Sequence, residues 1–104
     1  MKIKKVYPDN PRYSDMYKFY CPACKEEHWF ASGPNSYWKP MWQFNGDMEK
    51  PTVAPSILVH RVEGGKERRC HLYLSGGRIQ FLDDCSHKMK GQIVDMVDFP
   101  EDGE

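Results

Sequence analysis

The sequence predicts a mostly β domain, built on a small antiparallel sheet with one short helix near the C-terminus. Three observations carry this reading. Short β-branched and aromatic runs alternate with Gly, Pro and Asn clusters, the pattern of strands and tight turns. Aromatic residues reach 13%, with 8 Gly and 8 Pro, a composition that suits neither a disordered chain nor a helical bundle. Alanine, the best helix former, occurs only at Ala23, Ala31 and Ala54.

The elements follow in order. Tyr7 to Arg12 holds two prolines beside Asn and Asp, and reads as an irregular lead-in. Met16 to Tyr20 is a short aromatic strand that feeds into Cys21-Pro22-Ala23-Cys24, with His28 to Ala31 as the return strand. Gly33-Pro34-Asn35-Ser36 breaks the chain, and Trp42-Gln43-Phe44 is a further strand stopped by Asn45-Gly46-Asp47. Lys50 to Pro55 cannot be helical, and its prolines assign it to an edge or a loop. Ser56 to Val62 is the longest β-branched run and the expected central strand, followed by an exposed loop at Glu63 to Glu67. Arg69 to Leu74 and Arg78 to Asp83 flank Gly76-Gly77 as a β-hairpin. Ser86 to Lys90 is the expected helix, with Ser86 as its cap and Gly91 as its end, and Gln92 to Val97 a last strand. The tail after Phe99 is acidic.

At 104 residues the chain has room for one core, expected over about residues 14–99, with 100–104 as an acidic tail. Lys+Arg and Asp+Glu are both 15, so no global field draws the chain to nucleic acid or anionic lipid. No stretch approaches the roughly 18 apolar residues of a membrane span, and the basic start lacks the apolar stretch of a signal peptide. A cytoplasmic location is expected, where four cysteines point to metal ligation before disulfides.

Cys21-Pro22-Ala23-Cys24 has the spacing of a zinc knuckle, in which two thiolates face one ion and turn amides bond the sulfurs. A redox CxxC would open a helix in a βαβ setting, which is missing here. The hairpin register supplies further ligands. With Gly76-Gly77 as the turn, Leu74 faces Ile79, Leu72 faces Phe81 and Cys70 faces Asp83. Cys70, Leu72, Leu74, Ile79, Phe81 and Cys85 then share one face, with His71 and Tyr73 on the other. The expected centre is a structural zinc held by Cys21, Cys24, Cys70 and Cys85, with His87 or His71 as replacement for the fourth; His28 and His60 stand outside it. The competing reading takes Cys70 and Cys85 as small buried apolar residues.

Further motifs complete a pattern: Phe44-Asn45-Gly46-Asp47, Lys50-Pro51-Thr52, Pro55-Ser56-Ile57-Leu58, Cys70-His71, Gly77 to Leu82, and Asp84-Cys85-Ser86-His87 with Gly91. With the CPxC knuckle and His28, this order resembles a family of small phage and bacterial proteins classed as a domain of unknown function, over about residues 17–100. The resemblance implies a zinc-ribbon-like protein without an established activity to carry over. Some relatives stand beside bacterial ubiquitin-like conjugation genes, which points to regulation or processing. The position of Cys85 is serine in some relatives, which favours His87 or His71 as ligand. Lys88-Met89-Lys90 departs from the smaller apolar residues that relatives carry before the glycine.

The expected function is a structural-zinc binding module, phage or prophage encoded, that contacts a host protein. A zinc hydrolase is the alternative, with His71, Asp84 and His87 around an open metal position. The plainer roles are Asp84 as a turn cap and His87 as a hydrogen-bond partner of a thiolate or a backbone group. Trp29, Phe30, Tyr37, Trp38, Trp42 and Phe44 with Arg61, Lys66, Arg68 and Arg69 suggest single-stranded nucleic acid as a weaker third reading. The sequence offers no credible Ser-His-Asp arrangement and no nucleotide motif.

Overall fold

The computed structural model describes residues 1–6, 15–33 and 41–99. The lead-in at 7–12, Tyr37, Trp38 and the tail from residue 100 lie outside the described residues. Two antiparallel sheets make up the fold. The first has the order β1-β2-β3, with β1 Lys4–Lys5, β2 Met16–Cys21 and β3 Glu26–Ala31. The second has the order β4-β5-β6-β7-β8, with β4 Gln43–Phe44, β5 Val53–Glu63, β6 Lys66–Ser75, β7 Arg78–Phe81 and β8 Ile93–Asp95. The mostly β expectation therefore holds, while one sheet becomes two.

Local chemistry explains the meander. The β5–β6 and β6–β7 connections are both Gly-Gly turns, with φ of 56° and 80° at Gly64-Gly65 and 57° and 84° at Gly76-Gly77. Two successive positive φ values match the twist of a tight hairpin, and glycine adopts them without a Cβ clash. The second turn sets Ser75 against Arg78, Leu74 against Ile79 and Leu72 against Phe81, as its sequence predicts. The expected loop at 63–67 is in fact a second tight hairpin, with Glu63 opposite Lys66.

Alternation buries one face of the larger sheet: Val53, Ile57, Cys70, Leu72, Leu74, Ile79 and Phe81 are each at most 2% exposed. Phe19, Phe30 and Cys21 from the smaller sheet complete the same cluster. The opposite face of the larger sheet is open, and there Leu58, Tyr73 and Ile93 remain exposed.

Two departures matter for function. Pairing of β5 with β6 steps from Val53↔Leu74 to Ile57↔Leu72, so Ala54, Pro55 and Ser56 bow out in a bulge. The expected helix at 86–90 is a correction: among the described residues there is none, and 86–90 is a run of bends and turns. Its amides have other partners. Ser86 N–H bonds Arg69 O at 2.9 Å, Ser86 Oγ accepts from Arg69 N–H at 2.9 Å, and Met89 N–H bonds His87 Nδ1 at 3.2 Å. A segment that spends its donors on β6 and on its own imidazole cannot build the i to i−4 ladder of a helix.

Candidate metal centre and active site

The β2–β3 hairpin turns through Pro22 to Lys25, closed by Lys25 N–H to Cys21 O at 2.7 Å. Cys24 N–H reaches Cys21 Sγ at 3.4 Å, the amide-to-sulfur bond of a metal knuckle. Cys70, at mid-β6, brings its sulfur to 3.9 Å from that of Cys21, 49 positions away in sequence. An ion with metal–sulfur bonds of about 2.3 Å in tetrahedral geometry separates two sulfurs by about 3.8 Å. Cys21, Cys24, His28 and Cys70 each offer a ligand atom, all within 4.8 Å of one another, so the group could hold a metal ion.

The fit rests on three features. Hydrogen bonds shared with Cys24 and Cys70 hold the Cys21 thiol far below the usual thiol range, against the effect of its burial. The same sharing with Cys21 raises Cys24, to about 11, and pushes Cys70 well above its ordinary value. His28 is 3% exposed and its Nε2 has no protein partner. An orphaned imidazole nitrogen beside three sulfurs is the environment of a ligand.

His28 stood outside the expected ligand set, yet the register supplies the missing signal. Phe19 lies opposite His28 and Cys21 opposite Glu26, which puts Cys21, Phe19 and His28 on one face of the hairpin. Cys85 and His87 form a second group with Cys70. In that group Cys85 is bonded to the His71 backbone, accepting from its N–H at 3.2 Å and donating S–H to its C=O at 3.2 Å. His87 Nδ1 accepts the Met89 N–H, and burial lowers the pKa of the ring. Its Nε2, like that of His28, is buried without a protein partner. A pocket lined by Cys24, Cys70, Arg61, Arg69 and His87 opens beside the sulfurs.

A second constellation occupies the other face of β6. Ser56, lifted by the β5 bulge, places Oγ 2.9 Å from His71 Nε2. His71 Nδ1 lies 3.0 and 3.2 Å from the two carboxylate oxygens of Asp84. A carboxylate only accepts, so the imidazole proton sits on Nδ1 and Nε2 is free to take the Ser56 hydroxyl proton. This is the connectivity of a Ser-His-Asp triad, recognised by geometry and not by chain order. It overturns the expectation that no such arrangement exists, and it corrects the role of Asp84 from turn cap to partner of His71. His71 and Asp84 also leave the set expected around a metal-bound water: they bond each other and Ser56, across the strand from the sulfurs.

Neighbouring groups hold this chain of bonds. The Trp42 indole N–H bonds Ser56 O at 3.1 Å, fixing the backbone of the bulge. The Arg69 guanidinium stands 3.9 Å from Asp84 Oδ2. Leu58 lies directly opposite His71 across the β5–β6 ladder and is half exposed. Arg61 pairs with Glu26 and Glu63, Arg68 with Glu63, and Arg69 with Glu67. Sequence reasoning missed Ser56 because nothing in Pro55-Ser56-Ile57 separates a nucleophile from a strand serine without the register and the bulge.

Among the described residues no helix is long and apolar enough to cross a membrane. Comparison with curated proteins and with solved structures found no match. A family model does match, over residues 1–82, a span that holds Ser56, His71 and the buried face of the second sheet from Val53 to Phe81, and ends just short of Asp84. On that match, which extends over most of the sequence, the chain belongs to the family described as bacterial ubiquitination-like system serine protease (BubE).

Proposed function

We propose that this chain is a serine hydrolase that cleaves an acyl bond in a protein substrate of a bacterial ubiquitination-like system, with a structural zinc bracing the fold. The hydrogen-bonded chain from Ser56 Oγ through His71 to Asp84, at 2.9 and 3.0 Å, carries the reading. The family's description as a serine protease agrees with it.

The chemistry follows from the three groups. Ser56 Oγ attacks the substrate carbonyl while its proton passes to His71 Nε2. Asp84 holds the ring in the productive tautomer and stabilises the imidazolium. His71 returns the proton to the leaving amine or alcohol, which departs and leaves an acyl-serine. Water repeats the cycle, giving its proton to His71 and its hydroxyl to the acyl carbon, and Ser56 regains its proton.

The zinc reading rests on the donor set Cys21, Cys24, Cys70 and His28, in which four protein ligands leave no position for a reactive water. Such a site ties β2 to β6 and contributes to folding. Contact with a protein, expected from the sequence, enters here as substrate recognition. The phage or prophage setting and a host-protein partner rest on the family resemblance alone.

The test is active-site labelling. A fluorophosphonate probe should label the wild-type chain at Ser56 and leave S56A unlabelled, with both variants binding one zinc. Equal labelling of S56A, or none of the wild type, would remove Ser56 as nucleophile.

A further inference from the structure

We infer that Cys85 is a positioning residue for the base: its thiol clasps the His71 backbone and so sets both His71 and Asp84. The inference rests on the triad reading above and goes beyond it by assigning a role to a cysteine that the metal does not require.

The geometry is specific. Pairing of β6 with β7 reaches Leu72↔Phe81, and Leu82 N–H adds a bond to His71 O at 2.9 Å. The chain then leaves the ladder to form the turn that carries Asp84, so the His71 N–H loses its natural strand partner. Cys85 Sγ replaces that partner, accepting from His71 N–H and donating to His71 O, both at 3.2 Å. Cys85 is 5% exposed, so no water competes for either group. The next residue, Ser86, repeats the device on Arg69: Oγ accepts the Arg69 N–H at 2.9 Å and donates to Arg69 O at 3.2 Å.

Consecutive side chains thus imitate a missing strand over two β6 residues. The segment they hold down contains Asp84, whose carboxylate must meet His71 Nδ1. Without the Cys85 clasp the segment carrying Asp84 loses its tie to the His71 N–H, and only Leu82 N–H on His71 O and the Ser86 bonds to Arg69 still hold it to β6. Serine keeps the donor and the acceptor of the thiol, whereas alanine keeps neither.

The experiment compares wild type, C85S and C85A by three readouts: zinc per chain, rate of fluorophosphonate labelling at Ser56, and the downfield proton resonance of His71 Nδ1–H. C85A should keep one zinc, lose labelling rate on the order of 10- to 100-fold, as misplacement of a catalytic group does, and lose or broaden the resonance. C85S should restore the rate to within about threefold of wild type and keep the resonance. A C85A chain that labels at the wild-type rate overturns the proposal, as does loss of zinc in both variants, which makes Cys85 a ligand. If C85A fails to fold, C85S decides alone: retained zinc with retained rate supports the clasp, and a lost metal or a slow rate refutes it. If the wild type does not label, the triad reading fails, and the His71 resonance in C85S against C85A still judges the clasp.

Discussion

Replacing Asp84 by asparagine tests the triad at the residue that lies beyond the family match. The carboxylate accepts from His71 Nδ1 at 3.0 and 3.2 Å, so D84N removes a charge while nearly keeping the shape. Two effects follow. The amide can donate to Nδ1, which moves the ring proton to Nε2, where it faces Ser56 Oγ and blocks proton uptake. The imidazolium formed in the reaction also loses a partner. Two unit charges about 4 Å apart at an effective dielectric of about 20 attract by about 4 kcal/mol, a factor of about 10³ in rate. Asp84 is 43% exposed, so water recovers part of this and the loss settles nearer 10²-fold, up to about 10⁴-fold if the wrong tautomer dominates. Single-turnover labelling across pH 5 to 9 is the assay. D84N should be slow at every pH, with D84A less impaired than D84N if the tautomer is the larger effect. Labelling of D84N within about threefold of wild type would show that Asp84 does not serve His71.

Other outcomes follow from the same structure. Chelation or H28A should release the metal and lower the melting temperature sharply, since structural zinc contributes on the order of 10 kcal/mol to folding in small domains; an unchanged melt with the metal removed would count against a structural centre. G77A should cost more than G65A. Both glycines hold positive φ, about 1 kcal/mol against alanine, but a Cβ at Gly77 would also meet Glu49 O and Lys50 Cα at 3.3 Å, while Gly65 faces open space. Urea titration of the two variants measures the difference. Y73A and L58D, on the open face beside His71, should raise KM for a protein substrate and leave fluorophosphonate labelling of Ser56 within about threefold. Backbone N–H groups of Lys50 and Glu49 hold the Asp47 carboxyl below its usual range. Its stabilising bonds are complete above the unfolded carboxylate pKa and fade as pH falls through the lowered value. The melting temperatures of wild type and D47A should therefore converge in strong acid.

The sequence revealed the strands and the buried thiols more readily than the site. Register from Gly76-Gly77 placed Cys70, Leu72 and Leu74 inward and His71 and Tyr73 outward, because a two-residue turn and a two-residue side-chain period determine both. Cys21, Cys24 and Cys70 converge as that alternation requires. His28 stands outside the expected ligand group because its inward face depends on the β2–β3 register, which composition does not reveal. Ser56 escaped notice because it stands on a bulge, an irregularity in the very period used to assign faces. The helix expected at 86–90 fails for a related reason: a plausible cap, Ser86, makes better bonds to Arg69 than to its own amides. Local signals gave way where β6 offered unpaired backbone groups.

Cys70 and His71 are consecutive, and the strand turns one toward the sulfurs and the other toward Ser56. An odd change in the length of the Gly76-Gly77 connection would shift β7 against β6 and leave every side chain of one strand facing the wrong neighbour. Slippage of β6 itself against β5 would exchange the two residues outright, offering an imidazole to the metal and a thiol to the nucleophile. The proposed metal centre and the proposed acyl chemistry would therefore be interlocked through one alignment, and a drift harmless to a plain strand would disable both together.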